Sequence, residues 1–403
     1  MLKISIFLLQ GGVIMSKSLN LKYAFSQIFY YSALSSMLGF AAVLLLSRGF
    51  SNSHIGIILA VSNVIAAVLQ PSIAVEFDKS SNDKIRKALN LMIVVSIVLS
   101  LIIYFINFSK LILGILFTAI LCLIITLMPF MNSMAFMYEE YGYKVNFGLA
   151  RGLGSVGYAI TSMVLGFVLN VANPSILLLV NVLFSVLLYW VIKVYTVNED
   201  SKVISVKKEE IKQLTMIEFV RKYKLFVIFL VGATGAFFAH TFINNFFIQV
   251  VNNVNGTSSD MGNAIFIAAM IELPVMMLFE KINKKFSCTF LMKVSMFFFF
   301  IKHFLTYLAT NVMMIYIAQV IQMFAYALFI PASVYYVNAY INENDRVKGQ
   351  SLITLCTTVG GTFASLLGGI LIDKVGVSYS LLVSAIISLV GFVIALFSVK
   401  EQR

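Results

Sequence analysis

Long stretches of this chain carry no charge at all. Residues 23 to 47 are free of charge, and so are 88 to 109, 111 to 138, 349 to 372 and 375 to 399. The run from 152 to 192 has none in 41 residues, room for two segments of ~20 residues with a turn at Asn173-Pro174. Such runs exceed what a buried strand or an ordinary core helix needs, and they lack the alternation of a membrane barrel. Lipid cannot hydrogen-bond an open backbone, so these segments must cross as helices. The pattern predicts twelve, at about 23–46, 54–76, 88–107, 111–136, 148–171, 175–195, 223–251, 261–280, 289–308, 312–339, 349–372 and 377–398, each near the ~20 residues a crossing requires.

The polar segment from Tyr195 to Lys224 separates six helices from six. The expected organisation is a tail (1–20), a first six-helix bundle (21–195), a linker (196–222) and a second bundle (223–403). The halves share punctuation. Pro71 and Pro274 lie 203 residues apart, Pro129 and Pro331 202 apart, and Gly157/Gly360 and Gly166/Gly369 each 203 apart. Asp78-Lys79 and Glu280-Lys281 are 202 apart. With only five prolines in the chain, two coincident pairs point to a duplicated membrane half. Two half-length repeats predict a secondary transporter with its site between them.

Composition agrees. Hydrophobic residues make up 60% and charged residues 11%, against the ~25% charge of a soluble domain. The basic residues sort by loop. Twenty-three of the 29 fall on the side of the two tails, whereas Arg48, Lys110 and Lys374 fall on the other. Positive charge stays inside, so both termini are expected in the cytoplasm, in a cell membrane. The net charge of +12 then reflects topology rather than nucleic-acid binding. The linker run Lys207-Lys208-Glu209-Glu210-Ile211-Lys212 reads as a solvated helix. Cys122, Cys288 and Cys356 lack disulfide or zinc spacing and read as packing residues. No metal or cofactor is expected. His54, His240 and His303 are scattered, and no nucleophile–base pattern is visible, so the chain does not read as an enzyme.

Charges inside the membrane are costly and functional by default. Arg151 sits near the start of the fifth helix, Glu272 within the eighth beside Pro274, and Lys302 within the ninth beside His303. Glu272 and Lys302 are the natural pair, either as a static bridge or as a cavity pair that rearranges. Arg151 occupies Gly148-Leu149-Ala150-Arg151-Gly152-Leu153-Gly154-Ser155-Val156-Gly157-Tyr158, where glycines permit close packing and Tyr158 lies two turns along the same face. Tyr30, Tyr31, Asn132, Asn244, Asn245, Gln249, Gln319 and Gln322 add neutral donors and acceptors suited to a polyhydroxyl solute or a nucleoside.

At these residues the chain resembles the major facilitator superfamily, and within it the lactose-permease-like branch of sugar:proton symporters. The run Gly56-Ile57-Ile58-Leu59-Ala60, Gln70-Pro71 and Asp78-Lys79 is similar to the superfamily's second helix and loop signature, with Ala74 and Ser81 in place of its glycines. The resemblance implies that Arg151 takes the sugar-binding arginine's role and Tyr158 that of a stacking tryptophan. It implies that Glu272-Leu273-Pro274 carries the essential glutamate, and that Lys302 replaces an arginine. Asp78, Lys79, Glu280 and Lys281 become the gating loops. The branch's coupling histidine and glutamate are missing from Gln319-Val320-Ile321-Gln322-Met323-Phe324-Ala325, and its arginine-paired glutamate falls near Met134. Glu272 and His240 remain to titrate. The implied fold is two pseudo-symmetric six-helix bundles acting as a monomer, with a small solute, a coupling proton or cation and the bilayer as partners. Import of a sugar, oligosaccharide or nucleoside is the expected activity. The alternative is an efflux antiporter, whose fifth-helix motif normally contains a proline that this helix lacks.

Gln10-Gly11-Gly12 precedes Met15, and Gly-Gly codons can encode a bacterial ribosome-binding sequence. Translation is therefore expected to begin at Met15 in a bacterial host. Intact mass of the purified protein checks this, and a mass that includes residues 1–14 would refute it.

Overall fold

The computed structural model describes residues 16–197 and 214–400, and every regular element within them is helical. The expected helix at Lys207–Lys212 and the segment before Met15 lie outside the described residues. Among the described residues, nine helices are long and apolar enough to cross a membrane alone, or ten with the bent first pair. The segment Glu343–Ser398 counts once there, yet its 56 residues would span about 84 Å as helix, twice a bilayer. Gly376 breaks it with φ 79° and ψ 173°, a conformation that glycine adopts readily. Phe147–Val168 completes the twelve segments, its hydropathy lowered by Arg151 and its glycines.

We number the crossing segments α1 (Lys17–Ser47, in pieces), α2 (Asn52–Asp78), α3 (Asn82–Phe105), α4 (Lys110–Ser133), α5 (Phe147–Val168) and α6 (Ile176–Val194). The second set is α7 (Lys224–Asn252, in pieces), α8 (Ser258–Asn283), α9 (Cys288–Leu308), α10 (Val312–Tyr340, in pieces), α11 (346–375) and α12 (377–398). A short helix, Met216–Lys222, precedes α7 and opens with a Thr215–Glu218 capping box. Hydrogen bonds from Thr215, backbone first and then hydroxyl, hold the Glu218 carboxyl below its usual range. Lys222 and Tyr223 reach the buried Asp345 at 3.4 and 3.1 Å, tying this helix to the loop before α11.

Three helices expected to be continuous are broken. α1 turns π-helical over Ser35–Gly39 and bends by 43° before Ala41. α7 breaks at Phe246, whose φ −112° and ψ 31° nearly match the −110° and 17° of Phe40, 206 residues earlier. The kinks are thus related by the repeat. α10 breaks between Ile321 and Tyr326, where Ala325 adopts φ −89° and ψ −94°. Pro331 cannot donate to the carbonyl of Ala327 just beyond this break. Ser295 of α9 donates to the Ala325 carbonyl at 2.8 Å, which also accepts from the Phe329 N–H at 2.9 Å, so the start of the second piece of α10 is tied to α9.

Within each set the helices pack in matching ways. α1 lies on α5 and α6, and α7 on α11. Gly157 of α5 faces the backbone of Ile28, where an added Cβ would sit 3.1 Å from its carbonyl oxygen. Gly360 of α11, its repeat partner, faces the Thr234 carbonyl of α7 at 2.6 Å. The duplication therefore preserves which backbone each glycine admits.

The sets meet along two seams, α2 with α11 and α5 with α8. Both seams close at the ends remote from the chain termini, which we call the far side. A Cβ on Gly56 would strike the Ser365 carbonyl and come within 3.5 Å of the Gly369 Cα. One on Gly369 would strike the Asn52 carbonyl. One on Gly166 would lie 2.6 Å from the Ser258 carbonyl and 3.0 Å from the Gly262 Cα. Gly56 and Gly262 are 206 residues apart, and Gly166 and Gly369 are 203 apart. The four glycines are thus two repeat pairs crossed over. Towards the tails the seams part, and a Cβ on Gly152 would meet nothing within 4 Å.

Gly369→Val is expected to wedge the α2–α11 seam apart. Overpacking of this kind costs about 1–3 kcal/mol, a factor of roughly ten or more between closed and open forms. A cysteine placed at Asn245 should then label faster from the far side, while the unfolding temperature stays near that of the parent.

Candidate functional site

A chain of polar side chains lies where α8, α9 and α10 converge. Lys302 is fully buried on α9 and donates to the Gln322 carbonyl oxygen. The Gln322 amide in turn donates to Glu272 on α8. The direct Glu272–Lys302 pair expected from sequence is not made, because Gln322 stands between the two charges. The amide suits that position: its oxygen accepts from the ammonium and its nitrogen donates to the carboxylate. The break in α10 begins at Gln322, so this link sits on irregular backbone inside the bundle, where such backbone persists only when buried or lining a cavity.

Arg151 faces this chain from α5. Its guanidinium lies over the Tyr31 ring at 4.1 Å and donates to Ser155 at 2.9 Å. Glu272 and Tyr326 lie within electrostatic range of Arg151 across the boundary between the halves. With Arg151 and Lys302 positive and Glu272 negative, the formal sum is 2 − 1 = +1.

The other expected residues divide. Tyr158 packs against α1, its hydroxyl only 2.6 Å from where a Cβ on Gly39 would stand, so it fills the π-turn rather than standing free beside Arg151. Tyr30 turns into its own bundle and donates to the Ile124 carbonyl at 2.9 Å, and the neighbouring Tyr31 takes the place under Arg151. One residue on a helix rotates a side chain by ~100°, which decides the face. Asn132 is half-buried, and its Oδ1 has no hydrogen-bond partner among the described residues. Asn245 donates to Ser365 at 2.8 Å and belongs to the α7–α11 packing. Asn244 is exposed and lies 3.1 Å from the His240 Nε2. His240 stacks on Tyr326, with ring centres 5.0 Å apart and planes 12° apart, beside the broken α10. Asp78 ends α2, and its side chain is outside the described set. Lys79, Glu280 and Lys281 are exposed at the parted end of the seams.

Two groups were missed. Gln27 is fully buried on α1 and spends both amide hydrogens on Tyr23 and the Met131 carbonyl, each at 2.9 Å. Its Oε1 has no hydrogen-bond partner among the described residues, next to the Tyr31–Gly154 contact. A glutamine within a 25-residue uncharged run was the available signal. His303 is buried with Nδ1 2.9 Å from the Ser388 hydroxyl, its ring centre 6.5 Å from that of His240.

The site can thus offer a fork of donors, two unfilled amide acceptors, an aromatic–imidazole stack and a charge chain that an incoming hydroxyl could interrupt. Gln322→Leu is expected to remove the amide that bonds both the ammonium and the carboxylate and to lower stability by about 1–3 kcal/mol. Thermal unfolding in detergent measures this. Adding Glu272→Gln and Lys302→Met should recover most of the loss.

Comparison with known proteins agrees with this architecture. The model of the MFS_1 like family matches residues 20–383. A Bacillus subtilis (strain 168) protein described as "Uncharacterized transporter YwbF" is 24% identical over 285 residues, covering 69% of this chain and 68% of its own. The structure of the nucleoside transporter NupG superimposes with a TM-score of 0.77 at 12% identity, covering 95% of this chain and all of that one. A bacterial homologue of the iron transporter ferroportin, in an inward-facing state, gives 0.70 at 11% identity over 96% of this chain and 100% of its own. At these identities the structural likeness speaks for the fold alone.

Proposed function

The chain belongs to the MFS_1 like family of membrane transporters, and from that premise we propose that it carries a neutral polyhydroxylated solute, a sugar, oligosaccharide or nucleoside, by alternating access. The single observation behind this reading is the Lys302–Gln322–Glu272 chain, set on the break of α10 and facing Arg151 across the two halves. A solute between the halves would meet Arg151, Asn132 and Gln27 on one side and Gln322, Glu272 and the His240–Tyr326 stack on the other. The rim of unfilled acceptors suits a ligand rich in hydroxyl or N–H donors. The formal +1 sum counts against a cationic drug as cargo.

Within the superfamily, the lactose-permease-like branch is the assignment that Arg151 and Glu272-Leu273-Pro274 support. We assign coupling to a proton or another cation acting on Glu272, with His240 as its neighbour. A hydroxyl that takes the Gln322 amide would release Glu272, which links occupancy to protonation. Basic residues concentrated on the tail side support a cytoplasmic tail side; in that orientation the seams close outward and the site opens inward. In that orientation Lys79, Glu280 and Lys281 stand unlatched. Closing the cytoplasmic side would bring the Asp78-Lys79 and Glu280-Lys281 loops against the opposite half. The working unit is a monomer in a bacterial cell membrane.

A thermal-shift series on purified protein tests the reading. Sugars or nucleosides at ~100 times Kd should stabilise by about 2.7 kcal/mol, and Arg151→Ala should abolish that shift while keeping the unliganded unfolding temperature. Stabilisation by hydrophobic cations alone, unaffected by Arg151→Ala, would sink both the solute class and the site.

A further inference from the structure

The two seams look alike in backbone and differ in side chains. At the end of α11, the Asp373 carboxylate crosses to the first turn of α2. One oxygen accepts from the Asn52 backbone N–H at 3.2 Å and from its side-chain amide at 2.8 Å. The other accepts from the Ser53 N–H at 2.7 Å and its hydroxyl at 2.6 Å. Gln249 of α7 adds a bond to the Asn52 side-chain oxygen at 2.7 Å. The first N–H groups of a helix lack intrahelical acceptors and carry partial positive charge, so an ionised carboxylate from the other half is well matched to them.

The repeat identifies the counterpart. Asn170, at the end of α5, precedes Asp373 by 203 residues, and Ser259, in the first turn of α8, follows Ser53 by 206. These two also meet, through one bond of 2.5 Å from the Asn170 amide to the Ser259 hydroxyl. That hydroxyl lies 3.5 Å from the Gly166 carbonyl. Among the described residues, one seam is thus held by four bonds to a carboxylate and the other by two bonds between neutral groups, one of them long at 3.5 Å. Hydrogen bonds to an ionised acceptor are roughly twice as strong as neutral ones.

We propose that Asp373 is the latch of the far-side gate, and that the gate opens from the weaker α5–α8 seam while Asp373 holds α2 to α11 until last. This rests on the alternating-access reading above. Asp373 is a positioning residue: it touches no solute and sets how readily the closed state yields. The substitution Asp373→Asn gives α11 the side chain that α5 carries, and Asn170→Asp does the reverse, so the two changes should move their seams in opposite directions.

Electron-spin distance measurements on full-length protein in nanodiscs test this. Cys122, Cys288 and Cys356 are first replaced by serine, and labels are introduced in pairs. Ser47→Cys with Tyr379→Cys spans the α2–α11 seam, and Val171→Cys with Thr310→Cys spans the α5–α8 seam. In the parent, the longer-distance fraction should be greater at α5–α8. Asp373→Asn should raise the long-to-short ratio at α2–α11 by about tenfold or more. Asn170→Asp should lower the ratio at α5–α8. Where Asp373→Asn does not fold, Asn52→Ala with Ser53→Ala removes the opposing side-chain donors and should shift the same seam in the same direction. An α2–α11 distribution unmoved by both changes overturns the latch while leaving alternating access in place. A single short distance at both seams in every variant, with or without a panel of sugars and nucleosides, overturns alternating access and the latch with it.

Discussion

Two backbone contacts organise this molecule. Gly56 against Gly369 and Gly166 against Gly262 bring four helices together at the far side, close enough that a methyl group would collide. In lipid there is no hydrophobic gain from pressing one apolar helix on another, so close approach and its dispersion contacts must supply the attraction. The close contact lies at the far side, and by Gly152 of α5 a Cβ would meet nothing within 4 Å. A space between the halves follows from that divergence, and Arg151 of α5 faces Glu272 of α8 and Tyr326 of α10 across it. A bulky residue at any of the four positions would weaken the arrangement that gives the site its opening.

The charges make sense only within that geometry. A lysine with no exposure inside a membrane bundle carries a large desolvation penalty unless it is partnered. Here Gln322 takes the ammonium with one end and the carboxylate with the other. An amide link differs from a direct ion pair in a useful respect. It does not titrate, and a solute hydroxyl that competes for either end weakens the hold on both charges. The break in α10 lets Gln322 reach both partners without distorting a regular helix, and Ser295 of α9 adds a bond to the Ala325 carbonyl at its end.

Much of the architecture was legible from residue order. Uncharged runs located the crossing segments, and the spacing of Gly157/Gly360 and Gly166/Gly369 announced the repeat that the packing displays. Facing was harder to read. A helix surrounded by lipid on one side and apolar neighbours on the other has no water-facing stripe, so hydropathy cannot say where a side chain turns. That is why Tyr30 and Tyr31 could not be told apart, and why Tyr158, expected to stack on a solute two turns along the face of Arg151, is found against Gly39. The kinks at Phe40 and Phe246 escaped notice for a related reason. Neither sits at a proline, and a π-turn or a single bridge-region residue leaves composition unchanged. Gln322 was singled out as a solute ligand, but its place between two charges depends on three helices meeting, which no local pattern encodes.

The repeat is a tool for locating function because packing and chemistry depart from symmetry at different places. Glycine positions, helix breaks and N-caps correspond between the halves: Gly56 with Gly262, Phe40 with Phe246, Ser51 with Thr257. The charges inside the membrane do not, unlike the Asp78-Lys79 and Glu280-Lys281 loops. Nothing in the first half matches Glu272 and Lys302, which would fall near Asn-free apolar stretches of α2 and α3. Arg151 likewise meets Thr354 at a spacing of 203. A duplicated bundle needs the corresponding contacts in order to fold and to rock. It has no structural need for an unmatched buried ion, whose desolvation must be offset at every fold. Residues that break the symmetry while burying charge are therefore the ones whose presence folding alone does not explain: Arg151 and Glu272 face one another across the halves, and Lys302 stands behind Glu272 through Gln322.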